Sequence, residues 1–292
     1  MNNSALQVFA GGWTQLQHAK FSNSKLLAMG SPADVYWKPD GEKAYVIDGT
    51  NENIVEFTAS IPYDETTIVE TGMFDILDLD NNIRGIDFND AGTLCWLIGT
   101  SQDDVHQLNF GTGWDISTIS DPEINRGIGG TNANPQSVRF SKDGFILYVS
   151  DTSGKVFAYN VTTPFDISTL TTSPSFNVDF TSTAPNVGKV LFSTDEKYLY
   201  LLSRTNDNVV RYLLQTPGDI TTAVFLDSFD DLMETNPLGI HIRRDNGKKL
   251  YVVGIISDTM FSYDMSLNEN NSIITRLGDE LTTETGENIV YA

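Results

Sequence analysis

The amino-acid sequence predicts an all-β fold built from repeated four-stranded units. The prediction rests on a constant spacing of equivalent residues, on strand-like alternation of apolar side chains, and on the lack of helical periodicity. Residues 90–118 and 143–169 show the repeat best, because both combine two strand-like runs with a loop that ends in Asp-Ile-Ser-Thr. Side chains two residues apart share one face of a strand, so this alternation indicates half-buried strands.

Three sets of equivalent positions recur every 50 to 53 residues. The last apolar residues before each tight turn are Trp37, Phe88, Phe140, Phe192 and Ile242. The aromatic residues of the following strand are Tyr45, Trp96, Tyr148, Tyr200 and Tyr251. The residues that open the later loop are Asp64, Asp115, Asp166 and Asp219, with Asn270 in the fifth copy. The chain therefore contains five copies of one unit.

Each copy follows the same plan. An alternating first strand leads into a turn rich in Asp, Asn and Gly, which favours a tight hairpin. The second strand is almost continuously apolar, as expected for a strand that is covered on both faces. After an alternating third strand, the loop Asp can accept hydrogen bonds from backbone N–H groups two or three residues further on. Copies four and five depart from the pattern, with Gly218 and Asn270, so we expect differently shaped loops there.

Short antiparallel strands in copies of about 50 residues match the blades of a β-propeller, with an open solenoid as the alternative. We predict one domain, residues 1–292. The repeats span about 31–81, 82–133, 134–185, 186–235 and 236–285. Residues 1–30 and 286–292 also have strand-like patterns, so we favour six blades over five, with the ring closed by pairing of the N- and C-terminal strands.

Composition narrows the classes of partner. The 292 residues include 39 acidic and 18 basic side chains, a formal net charge of −21. Such a charge disfavours binding to nucleic acid or to anionic membranes. The sequence contains no membrane-length apolar run and no signal-peptide pattern at its start, so we expect a soluble protein. Cys95 is the lone cysteine and is expected to be buried and unpaired.

The repeats resemble those of β-propellers in bacteriophage virion and tail-associated proteins, and more broadly NHL and YVTN-type repeats. The stretches that carry this resemblance are NPQSVRFSKDGFILYVSD with TPFDIST, and NIRGIDFNDAGTLCWLIG with GWDIST. It covers about residues 31–273 and implies a non-enzymatic virion component, tail-associated or receptor-binding, located in the virion. Its partners would be other virion proteins or a host surface receptor, recognised through protein or glycan, within an oligomeric assembly. The alternatives are a metal-dependent, lactonase-like hydrolase and a scaffold protein without a receptor of its own.

A polar column precedes the first strands and is one candidate binding site. It comprises Asn82, Asn134, Asn186 and Asn236, with Asp34 nearby. In a propeller these residues would lie near one mouth of the central channel, where amide and carboxylate oxygens could bind a cation. The alternative is that each Asn makes a local turn before its strand.

The aromatic residues just before the loop Asp are a second candidate. Tyr63, Trp114 and Phe165 occupy this equivalent place, and exposed rings along a rim would suit recognition of sugar or protein. The alternative is that they pack against the neighbouring blade.

The sequence offers little for catalysis. Propeller lactonases hold a divalent metal in the channel, where hard oxygen ligands are needed. The corresponding positions here are Asp34, Gly85, Ser137, Lys189 and Gly239, which provide one carboxylate and one opposing cation. His18, His106 and His241 are dispersed, and the last two are predicted to be half-exposed strand residues. We therefore predict no catalytic residues, no metal and no cofactor.

Overall fold

The structure is a computed structural model that describes residues 16–128, 134–266, 275–277 and 280–282. Within these ranges the chain forms five four-stranded antiparallel sheets, which we call blades 1 to 5, and a separate two-stranded hairpin. The innermost strands of successive blades contact one another, and the innermost strand of blade 5 contacts that of blade 1. The sheets therefore form a closed ring.

The strands, numbered in chain order, fall into the blades as follows. Blade 1 contains β2 (Pro32–Trp37), β3 (Lys43–Asp48), β4 (Asn53–Ala59) and β5 (Ile68–Asp75). Blade 2 contains β6 (Ile83–Phe88), β7 (Leu94–Gly99), β8 (Asp104–Phe110) and β9 (Ile119–Gly127). Blade 3 contains β10 (Pro135–Phe140), β11 (Ile146–Asp151), β12 (Lys155–Asn160) and β13 (Phe176–Asp179). Blade 4 contains β14 (Val187–Phe192), β15 (Tyr198–Ser203), β16 (Asn208–Leu214) and β17 (Ala223–Phe229). Blade 5 contains β18 (Pro237–Ile242), β19 (Lys249–Gly254), β20 (Thr259–Asp264) and β1 (Lys20–Leu26), and the hairpin pairs β21 (Thr275–Leu277) with β22 (Glu280–Thr282).

The local predictions for each copy are confirmed. Every second strand is buried except at its first residue, because both of its faces are covered by neighbouring blades. Each first hairpin contains a left-handed residue, with φ between 55° and 78°. These residues are Gly41, Gly92, Gly144, Glu196 and Gly247.

The fold class is confirmed, with five blades, the lower of the two numbers that the sequence allows. Among the described residues there is no sixth blade, since β1, which we assigned to it, pairs antiparallel with β20 and is the outermost strand of blade 5. An N-terminal strand thus completes the sheet that the C-terminal repeat begins. Residues 286–292, which we predicted to form the sixth blade together with residues 1–30, lie outside the described residues.

A short 3₁₀ helix precedes each outermost strand and packs against the outermost strand of the preceding blade in four of the five junctions. The 3₁₀ helices are η1 (Leu16–His18), η2 (Glu65–Thr67), η3 (Ile116–Thr118), η4 (Ile167–Thr169) and η5 (Ile220–Thr222). The loop aspartates cap η2 to η5 by accepting the backbone N–H two residues further on, as predicted. Because η1 packs on β17, the N-terminal segment supplies blade 5 with both its 3₁₀ helix and its outer strand.

Candidate functional site at the centre of the ring

The five innermost strands place two layers of residues around the ring axis. The start-side layer lies near the beginning of each strand and comprises Asp34, Gly85, Ser137, Lys189 and Gly239. The turn-side layer lies two residues further along and comprises Tyr36, Asp87, Arg139, Leu191 and His241. Because side chains two residues apart share one face of a strand, the residues of both layers face the ring axis.

A buried ion pair crosses the start-side layer. Lys189 Nζ donates to Asp34 Oδ2 and, at 2.9 Å, to the carbonyl oxygen of Ile86. Asp34 Oδ2 also accepts the Ile86 N–H at 2.8 Å, while Oδ1 accepts the Val35 N–H at 2.8 Å. Burial raises the pKa of the Asp34 carboxyl, and the adjacent Lys189 ammonium opposes that rise. Both oxygens of this carboxylate already accept hydrogen bonds. The Lys189 ammonium lies beside Asp34, at the position that a metal ion would have to occupy to use this carboxylate as a ligand.

Close approach of the strands explains the two glycines in this layer. A Cβ atom on Gly239 would lie 2.5 Å from Asp34 Cα, and one on Gly85 would lie 3.0 Å from Ser137 Cα. Any side chain at these positions would push the innermost strands apart. The start-side layer is therefore closed by backbone, with the ion pair in its centre.

The turn-side layer is less completely paired. His241 is 2 % exposed, and both ring nitrogens lack a hydrogen-bond partner among the described residues. Its ring centroid lies 5.0 Å from that of Tyr36. Burial, together with the charges of Arg244, Arg139 and Lys189, lowers the pKa of His241 well below its usual value. The half-exposed state predicted for this residue is wrong, because its strand is the innermost one; His106 is also buried.

A cavity of about 260 Å³ opens above the turn-side layer, between the first hairpins of blades 2, 3 and 4. Arg139 Nη1 binds Asp87 Oδ1 at 2.6 Å in its wall. Arg244 Nη1 binds Asp90 Oδ1 at 2.8 Å and donates to the Tyr36 hydroxyl at 3.0 Å. We call this space the mouth cavity. The sequence did not single out its two arginines, because a lone arginine in a repeat carries no motif.

The predicted asparagine column lies at the other end of the channel and makes local contacts. The Asn82 and Asn186 carbonyl oxygens accept the backbone N–H groups of Thr100 and Arg204 at 3.1 and 3.0 Å. Asn82 Nδ2 also donates to Thr100 Oγ1 at 2.5 Å. These bonds tie the start of a first strand to the end of the second strand in the same blade.

The other two asparagines also bond locally. Asn134, which is exposed, accepts a hydrogen bond from Gln136 Nε2 at 3.0 Å through its carbonyl oxygen. The Asn236 N–H donates to Glu234 Oε1 at 3.0 Å. Asp34, grouped with this column in the prediction, belongs to the ion pair instead. A cation-binding role for the column stays a prediction.

The three rim aromatics are packed in the interior. Tyr63 is 3 % exposed and Trp114 9 %, while Phe165 is partly buried. Trp114 lies against Tyr36 and Tyr45 of blade 1, with centroid distances of 6.1 Å. The blade 1 residues Tyr45 and Lys43 both donate to the Trp114 carbonyl oxygen at 2.7 Å. The rings and their carbonyl groups thus join neighbouring blades, and a role in stacking sugars is untested.

These aromatics require glycine in the hairpin of their own blade. Tyr63, Trp114 and Phe165 have φ between 62° and 64°, and each ring covers one hairpin glycine. A Cβ atom on that glycine would lie 2.2 to 2.6 Å from the ring. In blade 4 the two residue types are exchanged, with Glu196 in the hairpin and Gly218 in the aromatic place. Gly218 keeps φ at 78° and its N–H donates to the Glu196 carbonyl at 2.9 Å, so the expected change of loop shape does not occur in blade 4. Asn270, for which the same change was expected in the fifth copy, lies outside the described residues.

Comparisons with known proteins give similar solved structures of low sequence identity. No protein-family model matches the chain, and no curated protein matches it. A candidate 6-phosphogluconolactonase from Bacteroides uniformis is 17 % identical, over 89 % of this chain and 71 % of that one, with a TM-score of 0.48. A functionally unknown protein from Desulfotomaculum acetoxidans is 13 % identical over 94 % and 92 % of the two chains, with a TM-score of 0.46. The propeller domain of Myceliophteria thermophila Cps50 (Swd1) is 11 % identical over 80 % and 69 %, with a TM-score of 0.43.

The architecture defines the chain as a five-bladed β-propeller. Within the described ranges, no group of three or more His, Cys, Asp or Glu side chains could hold a metal ion. No helix there is long and apolar enough to span a membrane.

Proposed function

We propose that the chain is a non-catalytic propeller of a phage virion, tail-associated or receptor-binding, and that it contacts another protein through one flank of the ring. The observation that carries the proposal is an apolar flank on blades 4, 5 and 1. Seven of the 12 exposed large apolar residues in the described part of the chain lie on the outermost strands of these blades. They are Phe21, Leu26, Val69, Met73, Val224, Phe225 and Leu226.

This apolar flank suits a protein partner. The three blades are consecutive around the ring, so their outermost strands follow one another along its perimeter. An outermost strand also leaves one row of N–H and C=O groups open to pairing with another chain. Contiguous exposed apolar surface on a soluble protein is typical of interaction sites. The partner would be another virion protein, with a host surface receptor as the alternative.

The closed centre of the ring favours this proposal over a lactonase-like hydrolase. Metal-dependent hydrolysis needs hard oxygen ligands and an open coordination position. The start-side layer offers Asp34 alone, whose oxygens accept from Lys189 and two backbone N–H groups. The repeat resemblance then supports a structural role in a virion. Assays for lactone hydrolysis with added Ca²⁺, Mn²⁺ or Zn²⁺ should give no metal-dependent turnover.

Two experiments test the virion role. Antibody against the chain, imaged by negative stain on virions of the encoding phage, should label the tail, and unlabelled virions would contradict the proposal. Phe225→Asp places a charge on the apolar flank and should remove the protein from assembled virions. Phe145→Asp is the matched control, since Phe145 is 45 % exposed on a blade 3 hairpin, against 49 % for Phe225. Equal incorporation of both variants would exclude the flank as the contact surface.

A further inference from the structure

The mouth cavity contains hydrogen-bond donors that the protein itself leaves unpaired. Arg139 Nε is buried and has no partner among the described residues. Arg244 uses Nη1 for both of its hydrogen bonds, to Asp90 and Tyr36, which leaves Nε and Nη2 available. Below them lies His241, with two unpaired nitrogens and 2 % exposure. Buried donors are normally paired, so such a group indicates a place for a ligand.

The ion pairs at this end of the channel differ in how deeply their carboxylates are buried. The interior cations are Lys189, Arg139 and Arg244, whose side chains are between 2 and 18 % exposed. Only Asp34 and Asp87 oppose them at comparable burial. Asp90, the partner of Arg244, is 71 % exposed, so solvent weakens its compensation. One positive charge is left without a buried counterion.

The wall of the mouth cavity does not supply that counterion. Lys142 and Glu196 both line it, and together they carry no net charge. The Lys142 N–H donates to Glu196 Oε1 at 2.7 Å, and Lys142 Nζ donates to the Thr194 carbonyl at 3.2 Å. The full lining of the cavity carries three basic and three acidic side chains, so the proposed site rests on the arginine donors left unpaired rather than on a net charge.

We propose that the mouth cavity binds a small oxyanion, a carboxylate or a phosphate, between Arg139 and Arg244. Guanidinium groups match the oxygens of both classes of anion with paired N–H donors. The cavity volume of about 260 Å³ accepts a small molecule or one acidic group of a larger one. This site is independent of the virion role, because it uses neither the apolar flank nor a protein partner.

Isothermal titration calorimetry at constant ionic strength tests the site with inorganic phosphate and with succinate as probes. Binding of either probe to the wild-type chain is the expected result, and the comparison of the two identifies the class of anion. Arg244→Gln should weaken binding by about ten- to a hundredfold, the effect of losing a charge-assisted hydrogen bond. Arg243→Gln is the matched control, since Arg243 is the adjacent residue, pairs with Asp245 at 2.6 Å and does not line the mouth cavity.

A conservative pair covers the case in which Arg244→Gln does not fold. Arg244→Lys keeps the charge and removes the planar fork, so it should bind about tenfold more weakly than Arg243→Lys. No heat of binding with either probe would overturn the proposal. Equal affinities of the Arg243 and Arg244 variants would overturn it too, since they would show that the anions bind elsewhere on the surface.

Discussion

The two layers at the ring axis use the same five strands and differ in how their polar groups are paired. In the start-side layer, Lys189 and Asp34 meet across the ring, and Gly239 leaves room for them. In the turn-side layer, His241 faces the ring of Tyr36 and finds no hydrogen-bond partner among the described residues. The start-side layer contains a buried ion pair whose groups are all hydrogen-bonded, and its role is to hold the ring closed. The turn-side layer has unpaired donors beside a cavity, and such donors can bind a ligand.

The largest expected effect comes from breaking the ion pair. Lys189→Ala leaves the Asp34 carboxylate buried without its partner and should lower the free energy of unfolding by about 3–5 kcal/mol. Urea denaturation measures the loss. Lys197→Ala is the control, since Lys197 is 57 % exposed in its pair with Asp195 and should cost less than about 1 kcal/mol. If both variants lose the same stability, the ion pair does not hold the start-side layer together.

Filling the start-side layer should have the next largest effect. Gly239→Ala brings a methyl group to 2.5 Å from Asp34 Cα and should cost about 1–3 kcal/mol through overpacking. Gly49→Ala is the matched control, because its nearest neighbour would be the Ser31 carbonyl oxygen at 3.4 Å. Thermal and urea unfolding of both variants test the difference. A Gly239→Ala variant as stable as Gly49→Ala would show that the strands can separate at the axis.

The turn-side layer should respond to pH. The pKa of His241 is lowered in the folded chain, so below about pH 6.5 the unfolded chain binds a proton that the folded chain does not. Stability should therefore fall as the pH drops below about 6.5, by about 1.4 kcal/mol per pH unit for this one group. Arg244, Arg139 and Lys189 face the imidazole and oppose its charge.

His241→Leu isolates this pH effect. The variant keeps an apolar side chain in the buried layer, and urea unfolding between pH 7.5 and 5 should show a slope smaller by that amount. Equal slopes in the wild type and the variant would contradict the neutral, buried histidine.

The smallest effect is expected at the start-side mouth, in the asparagine column. Asn186 has φ of 57° and a buried Oδ1 without a partner among the described residues, so Gly can replace it without new strain. Asn186→Gly should change the free energy of unfolding by less than about 0.5 kcal/mol, like Asn134→Gly, whose φ is 60°. Ca²⁺ that stabilised the wild type and not these variants would favour the predicted cation site.

Much of the fold could be predicted because the signals are local. Turn glycines, the capping aspartates and the apolar second strands each depend on a few neighbouring residues. The number of blades depends on which strand β20 pairs with, some 240 residues away in sequence, and no local pattern states that choice. One signal was present and missed: Leu16 is buried like Ile116, and both begin a 3₁₀ helix that leads directly into an outermost strand.

The site was less predictable than the fold. The sequence placed Asp34 and Lys189 at equivalent positions, yet only the diameter of a five-bladed ring brings their charges into contact. The sequence left open whether Trp114 is exposed on a rim or packs against the neighbouring blade, and in the structure the preceding blade covers it. The position of a residue in the repeat indicates the strand or loop to which it belongs. It does not indicate which residues of the neighbouring blade it contacts.

The sequence by itself determined the repeated strands, the turns that connect them and the caps that begin each outer strand, because these structures need only short-range contacts. The tertiary structure decided the closure of the ring, the pairing across its axis and the burial of His241 in the turn-side layer. Those features arise from residues far apart in the chain, and their contacts exist only once five blades share one axis.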